Sequence, residues 1–437
     1  MVHYLAAMTL AADSTAAPRW RRNVTYFITG QQATGFGAMM VQIAVLWHLA
    51  RATQSGWVLT LGIVFALAPQ AIVSPFSGVL ADRLPRKLLI IGSDLAIALA
   101  SLALAVALIA GVEGLWFVYL ASAIRSAFTG LQGPAFRAVL PQIAPESELM
   151  RLNGLGEGLG SALGIAAPLV GGVLMATVGL QAVLFIDVAT AVLGAFLLAR
   201  VPMRQAAGAD TPGEDSLDDG FIANLRGGFT YLRNHRPAKW LIILGFGSGF
   251  FASVPMALTI LLVVRAFGGH QWMLSGLEAS FGAGYLIGAA AIAIIAPKMR
   301  RNRTRNLVAY MAVAAILTIL VALAPSIWLL LAAMTAFSAV IACWMVPYYT
   351  FLQEQVDQES AGRVFGIQEA LDAASAPVAF LIFGPLADRF SVESVLIVVG
   401  GLALAWLLAV AAIPAARRAL AVFSDAPATE DAGAAAE

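Results

Sequence analysis

Charged residues stand inside the long apolar segments of this 437-residue chain. Glu369 and Asp372 are three residues apart, so a helix would place them on one face. Two neighbouring carboxylates in an apolar medium cannot both ionise cheaply, so one of them should hold a proton near neutral pH. A proton carrier needs this behaviour. The alternative is that the pair makes polar contacts near the inner end of its segment.

Other charges lie in the apolar segments as well. Arg125 is near the middle of its segment and needs a carboxylate partner or a wet cavity. Together with Glu157, Glu369 and Asp372 it forms our set of candidates for proton coupling. Asp187 and Glu278 lie nearer the outer ends of their segments and are not selected. Asp94 is expected to pair with basic residues about two turns earlier.

The composition is that of a membrane protein. Apolar residues make up 60% of the chain and charged residues 12%, and the mean hydropathy is +0.84. A soluble domain carries about a quarter charged residues. The net charge of +1 offers no basic surplus for nucleic acid. One cysteine and four scattered histidines provide no metal-ligand spacing, so neither a metal nor another cofactor is expected.

The hydropathy pattern predicts an all-α membrane protein with twelve transmembrane helices. Each apolar run is long enough to cross about 30 Å of hydrocarbon. Alternation typical of a membrane β-barrel is lacking in the sequence. The predicted spans are 24–48, 57–80, 88–110, 115–138, 152–177, 180–199, 239–264, 275–296, 306–323, 326–350, 363–386 and 393–414.

Loop charge predicts the orientation. With these spans, 22 of the 26 lysines and arginines fall on the side that holds both termini, which should therefore be cytoplasmic. The predicted organisation is an N-terminal tail (1–23), a first six-helix bundle (24–200), a cytoplasmic linker (201–238), a second six-helix bundle (239–415) and a disordered C-terminal tail (416–437).

The linker and the tails have their own patterns. Phe221, Leu225, Phe229 and Leu232 recur at helical spacing beside arginines, which predicts an amphipathic helix on the inner leaflet. A plain linker turn is the alternative. Residues 1–18 are expected to be a loose tail.

The two halves contain an internal repeat. Arg151, Gly154 and Glu157 recur in step at the start of the eleventh predicted span, where Glu369 is the counterpart of Glu157. Two parallel six-span halves, related by an axis along the membrane normal, are one plan of secondary transporters.

A short charged turn separates the second and third spans. It contains Gly78, Asp82, Arg83, Arg86 and Lys87, and it resembles the signature loop of the major facilitator superfamily. Pro85 departs from the family pattern, which has glycine there. The resemblance implies a latch that holds one conformation through breakable charge pairs. The alternative is that the cations only anchor a tight inner turn.

A second motif lies in the fifth span. Gly164, Pro168, Gly171 and Gly172 resemble the antiporter motif of drug exporters, with Ala167 in place of its first glycine. The resemblance implies a kinked, tightly packed span that favours exchange over leak. Ordinary small-residue packing between membrane helices is the alternative.

The superfamily architecture implies positions for a substrate cavity. Spans 1, 4, 7 and 10 line the centre, which makes Gln31, Gln32, Trp344 and Tyr348 the cavity candidates. Amides and aromatic rings suit an amphiphilic substrate. The aromatic residues would alternatively belong to the interfacial belt. Arg125 resembles the arginine of span 4 in proton-driven drug exporters.

Taken over residues 20–415, the chain resembles the twelve-span branch that contains macrolide-efflux and enterobactin-export proteins. The resemblance implies a monomeric exporter of the bacterial plasma membrane that uses the proton gradient, with a small organic substrate, protons and lipid as its partners. A siderophore or lipid-like metabolite is the alternative substrate. An enzyme is not expected, since no Ser-His or Cys-His pairing occurs in adjacent spans, and a phosphate loop is lacking too. A channel or receptor would not explain the paired halves.

Overall fold

The computed structural model describes residues 2–83, 85–112, 114–137, 139–145, 148–203, 230–295 and 303–421. Side chains inside some helices lie outside this description, among them those of Gly78, Asp82, Arg83, Glu157 and Glu369. Every regular element among the described residues is a helix. Its helices are α1 Val2–Thr53, α2 Gly56–Arg83, α3 Arg86–Ile109, α4 Leu115–Arg137, α5 Leu140–Ile143, α6 Leu149–Thr177, α7 Leu180–Ala199, α8 Arg236–Phe267, α9 Gln271–Ile295, α10 Arg303–Ala322, α11 Ile327–Gln355, α12 Gln358–Arg389, α13 Val392–Ala412 and α14 Pro414–Ala421.

Continuous apolar runs produce these helices because a backbone in lipid must satisfy its own hydrogen bonds. Over the described residues, nine helices are long and apolar enough to cross a membrane. They are α1, α2, α3, α7, α8, α10, α11, α12 and α13. Leu99, Trp328 and Leu408 are among the large apolar side chains that face outward, as residues in contact with lipid do. The chain is therefore a multi-pass membrane protein.

Local signals set several helix ends. Ser326 and Ser391 accept hydrogen bonds from backbone N–H groups three residues later, so they cap the starts of α11 and α13. Gly268 ends α8 with a φ of +82°, in the left-handed region that glycine adopts without strain.

The start of the chain differs from the sequence prediction. Helix α1 begins at Val2 rather than after a loose tail of 18 residues. Alanine, leucine and methionine between residues 2 and 12 are strong helix formers, which accounts for the early start. The predicted amphipathic helix falls mostly on residues 204–229, which lie outside the described chain, whereas 230–234 are helical.

The chain divides into two compact units. The first contains residues 1–219 and 269–279, and the second contains 220–268 and 280–437. Helix α9 therefore contributes its first residues to one unit and the remainder to the other.

In the first unit, α1 packs on α6 and α7, α3 packs on α4 and α7, and α2 packs on α4. One apolar core there lies around Met40, Leu104 and Leu184, and another around Phe27 and Ile90.

In the second unit, α8 packs on α12 and α13, and α10 packs on α11 and α13. The second half of α9 approaches α11 so closely that a Cβ on Gly288 would overlap the carbonyl oxygen of Ala339. The apolar core of this unit includes Leu241, Tyr348 and Val364. Helices in the same order along each half thus make the same pairings.

Candidate functional site

A buried ion pair lies inside the first unit. Arg125 Nη1 on α4 contacts Asp187 Oδ2 on α7, with side-chain exposures of 11% and 1%. Ser101 on α3 donates to the same Asp187 oxygen over 2.6 Å, and its Oγ also contacts Arg125 Nη1. The structure therefore supplies the carboxylate partner that Arg125 requires. Asp187 is fully buried, although it lies in the first half of α7.

A second polar cluster lies on α3 and α4, and on each helix it is seven residues away from the first cluster. Asp94 precedes Ser101 on α3, and Gln132 follows Arg125 on α4. Antiparallel packing of α3 on α4 brings Asp94 and Gln132 together, as it does Ser101 and Arg125. Gln31 on α1 faces the same carboxyl group. Asp94 is fully buried.

The expected pairing of Asp94 with basic residues is wrong. Lys87 Nζ instead donates to the carbonyl oxygens of Ala199 and Val201, over 2.6 and 2.9 Å. These carbonyls end α7, where the helix leaves acceptors unsatisfied and a cation is favourable. The long lysine stem reaches this helix end rather than a carboxyl group two turns along its own helix.

Helix α1 covers the ion pair at a glycine. A Cβ on Gly37 would overlap Thr190 Oγ1 and lie 3.0 Å from both Cα and Oδ1 of Asp187. Only glycine at this position lets α1 approach α7 closely enough to seal the carboxylate inside the unit.

The second unit has a carboxylate site of a different kind. Asp372 on α12 accepts from Tyr349 Oη through Oδ2 (2.9 Å) and from Gln368 Nε2 through Oδ1 (2.8 Å). Ser375 Oγ donates to the Asp372 backbone carbonyl oxygen. Both side-chain oxygens thus receive a donor, and the bond from Tyr349 joins α12 to α11. The neighbouring Glu369 side chain is not described, so its coupling role stays a prediction.

The cavity candidates have varied surroundings. Gln32 Nε2 donates to the carbonyl oxygen of Gly156 and links α1 to α6. Gln31 faces Asp94. Tyr348 is 1% exposed and lies in the core of the second unit, stacked on Trp344 at 4.6 Å between ring centroids. Trp344 also borders a small apolar cavity of about 30 Å³ among α8, α10, α11 and α13. A role in substrate contact remains a prediction for all four.

The small-residue motif packs on α1. Gly164 faces Met39, Gly171 faces Met40, and a Cβ on Gly172 would overlap Ser275 Oγ. Pro168 is accommodated inside the continuous helix α6. These contacts agree with the packing interpretation and leave the antiporter interpretation untested.

The turn between α2 and α3 is only partly described. Lys87 makes the contacts given above, and Arg86 is the first residue of α3. The side chains of Gly78, Asp82 and Arg83 lie outside the described residues, so the latch stays a prediction.

On the side predicted to be cytoplasmic, Tyr231 bonds the connection between α11 and α12. Its hydroxyl donates to the carbonyl oxygen of Gln355 over 3.3 Å and contacts Asp357 Oδ2 at 3.4 Å. Burial raises the pKa of the Tyr231 phenol above its usual value, which extends the pH range over which the hydroxyl remains a donor.

Sequence reasoning selected Arg125 but missed its partners. Ser101 carries no charge and resembles any small residue in a membrane helix. Asp187 was not selected because it lies nearer the end of its predicted span than Arg125 does. The available signal was the seven-residue spacing shared by Asp94 and Ser101 on one helix and by Arg125 and Gln132 on the next.

Several known proteins are similar to this chain in sequence or in fold. Macrolide efflux protein A of Streptococcus pyogenes is 27% identical over 383 residues, covering 86% of this chain and 91% of its own. The multidrug efflux pump Tap of Mycobacterium bovis is 26% identical over 283 residues, covering 61% and 64%. The crystal structure of a bacterial homologue of the iron transporter ferroportin, in its inward-facing state, has a TM-score of 0.69 at 13% identity. It covers 93% of this chain and 99% of the homologue.

Membrane-crossing helices with a charged pair buried inside one compact unit define a polytopic membrane protein, and its transporter relatives indicate a transporter rather than an enzyme. The profile of the Major Facilitator Superfamily matches residues 24–378. The chain belongs to this superfamily.

Proposed function

We propose that this protein is a secondary active efflux transporter that exports a small amphiphilic drug, such as a macrolide, in exchange for protons. The names of the relatives support the efflux of drugs. Two units that alternately open a shared binding site would carry out the exchange, as in other transporters built from repeated halves. The energy source would be the proton gradient, without a cofactor.

The observation that carries the proposal is the Arg125–Asp187–Ser101 network. A buried ion pair contributes little net stability, because desolvation of both charges offsets their attraction. In a membrane protein such charges are typical of ion and proton pathways. An ion pair sealed inside one transport unit therefore has a better explanation in coupling than in folding.

The proposed architecture is twelve spans in two six-helix bundles. Its support is the matching set of helix pairings in the two units and the length of α4, α6 and α9. The bundles would comprise residues 24–200 and 239–415, with both termini cytoplasmic and the protein in the bacterial plasma membrane. We propose that it acts as a monomer.

Roles follow for the candidate residues. Arg125, Glu157, Glu369 and Asp372 would take part in coupling. The turn from Gly78 to Lys87 would latch one conformation. The motif from Gly164 to Gly172 would keep the fifth span tightly packed, and Gln31, Gln32, Trp344 and Tyr348 would contact the substrate.

Inverted membrane vesicles provide the test. Vesicles from cells with and without the protein receive radiolabelled erythromycin, a macrolide, and an interior acidified by a pH jump. We expect uptake that requires both the protein and the acidic interior and that a protonophore abolishes. Protein-dependent uptake that does not depend on the pH gradient would refute proton antiport. A lack of any erythromycin or ethidium uptake would refute drug efflux and favour a metabolite such as a siderophore.

A further inference from the structure

The Asp372 carboxyl group in the second unit has hydrogen-bond donors but no cation as a partner among the described residues. Tyr349 Oη and Gln368 Nε2 donate to its two oxygens, over 2.9 and 2.8 Å. Three ion pairs occur in the described chain, and they join Arg125 to Asp187, Arg151 to Glu148 and Arg265 to Asp388. An acidic residue in a membrane helix is typically paired or lies on a substrate or ion pathway.

Basic residues on the helices around Asp372 lie too far along the helix axes to reach it. Helix α11 contains none. On α8, the nearest is Lys239, ten residues before Gly249, which faces Asp372. On α12, Arg363 precedes Asp372 by nine residues. At 1.5 Å per residue these separations are about 13–15 Å, which is longer than a lysine or arginine side chain.

A buried acceptor without a partner lies beside this carboxyl group. Gln368 is 1% exposed, and its Oε1 lacks a hydrogen-bond partner while its Nε2 donates to Asp372. The Tyr348 hydroxyl is also buried without a partner, and it lies close enough to interact with a charge on Asp372. Orphaned polar atoms are rare in folded proteins. The group that would satisfy Gln368 Oε1 and the Asp372 carboxylate together is a positively charged hydrogen-bond donor.

The surroundings of Asp372 indicate which kind of cation fits. Helix α8 faces it with a glycine, because a Cβ on Gly249 would lie 3.2 Å from Ser375 Oγ and 3.9 Å from Asp372 Oδ1. The rings of Tyr348 and Tyr349 lie edge to face, with 5.2 Å between their centroids. Aromatic rings beside a carboxylate favour an alkylated ammonium group, whereas a hard metal ion is surrounded by oxygen atoms.

We propose that Asp372, Gln368 and the rings of Tyr348 and Tyr349 bind the protonated amine of the exported drug. The proposal rests on the drug efflux proposed above and narrows its substrates to amphiphiles that carry a tertiary ammonium group. The N–H of this group donates to the Asp372 carboxylate or to Gln368 Oε1, and its alkyl groups contact the tyrosine rings. Asp372 then recognises the substrate, and Tyr349 orients its carboxylate.

Equilibrium binding to the full-length protein in lipid nanodiscs tests the site. Radiolabelled erythromycin, whose dimethylamino group is protonated at neutral pH, is compared with an analogue in which an acetyl group replaces one N-methyl group and removes the charge. We expect the wild type to bind erythromycin at least about tenfold more tightly, as a hydrogen bond to a charged group implies. Asp372→Asn should abolish this preference by weakening the binding of erythromycin alone.

Three further variants keep the test independent of one substitution. Glu354→Gln is the matched control, because it removes an exposed carboxylate from α11 and should retain the full preference. Asp372→Glu keeps the charge and should retain part of the preference. Gln368→Met removes the orphaned acceptor at similar size and should reduce it.

The outcomes separate this proposal from the proposed function. Equal binding of the two ligands by the wild type, or an unchanged preference in Asp372→Asn, would overturn the ammonium site, while erythromycin binding would still support drug efflux. Binding of neither ligand by the wild type would overturn the site and drug efflux together. Erythromycin uptake that is independent of the pH gradient, with the preference intact, would refute proton antiport and leave the ammonium site in place.

Discussion

At the scale of single residues, the ion pair between Arg125 and Asp187 makes either charge costly to remove alone. Removing one charge leaves the other buried and uncompensated, which typically costs about 3–5 kcal/mol. Removing both charges leaves only neutral polar groups in the same space. The distinction permits a test of the pair that is independent of transport.

We therefore predict that Arg125→Gln lowers thermal stability strongly, whereas Arg125→Gln/Asp187→Asn recovers most of it. Both variants should lack proton-driven uptake, because neither retains the ion pair. Thermal unfolding in nanodiscs measures the first effect and vesicle uptake the second. Equal destabilisation by the single and double variants would show that the two charges do not compensate each other.

The ion pair also shows which residues could be predicted from the sequence and which could not. An arginine near the middle of a membrane span needs a carboxylate partner, which is why Arg125 was selected. The identity of the partner depends on which helices are adjacent and in what register, and one sequence does not contain that information. Asp94 illustrates the same difficulty. Lys87 is near it in the sequence and suggested an ion pair, but the lysine instead donates to the carbonyl oxygens at the end of α7.

At the scale of helices, close approach of α1 and α7 seals the ion pair. Gly37→Ala would insert a Cβ into Thr190 and Asp187, and overpacking of this kind costs about 1–3 kcal/mol. We predict a lower unfolding temperature and reduced transport. The matched control is Gly35→Ala on the same helix, where a Cβ meets no atom within 4 Å.

The control should behave like the wild type in both measurements. Thr190→Ala removes the hydroxyl that the new Cβ overlaps, so the double variant Gly37→Ala/Thr190→Ala should recover part of the loss. Equal behaviour of Gly37→Ala and Gly35→Ala would contradict the close contact.

The Tyr231 contact leads to a pH-dependent prediction. Tyr231→Phe should lower stability by about 0.5–1.5 kcal/mol at neutral pH, through loss of its hydrogen bonds to the α11–α12 connection. Since the folded protein raises the pKa of the phenol, this contribution is complete below the unfolded value of about 10 and disappears as the pH rises through the folded value.

Thermal unfolding of wild type and Tyr231→Phe between neutral and alkaline pH measures the effect. We expect the difference between them to shrink only on the alkaline side. A difference that disappears on acidification instead would assign the contact to another group.

Most of the helices could be predicted because hydrophobic runs of membrane length have few alternatives in lipid. Helix α7, Leu180–Ala199, begins and ends at the residues predicted. The start of helix α1 was predicted wrongly, because helix propensity rather than hydropathy determines where this helix begins. The described residues confirm the helical class, and the family match over residues 24–378 confirms the superfamily. The seal at Gly37 could not be foreseen because its partner Asp187 is 150 residues away in the sequence.

At the scale of the whole molecule, the distribution of basic residues predicts that both tails are cytoplasmic. The only cysteine, Cys343, can be replaced by serine to give a background for labelling. Single cysteines at Ser14 and Ser424 report on the tails, and one at Val112 reports on the connection between α3 and α4.

We expect a membrane-impermeant maleimide to label Val112→Cys in intact cells and to label both tail variants only after the membrane is opened. Labelling of one tail but not the other in intact cells would require an odd number of spans. That outcome would also break the assignment of helices to equivalent positions in two halves.

The central claim is that substrate and protons move in opposite directions through the same protein. Proteoliposomes that contain a pH-sensitive dye and purified protein test it when an erythromycin gradient is imposed without a pH gradient. We predict that erythromycin moving into the liposomes drives protons out and that Arg125→Gln abolishes the signal. Erythromycin entry without any protein-dependent change of internal pH would contradict the account.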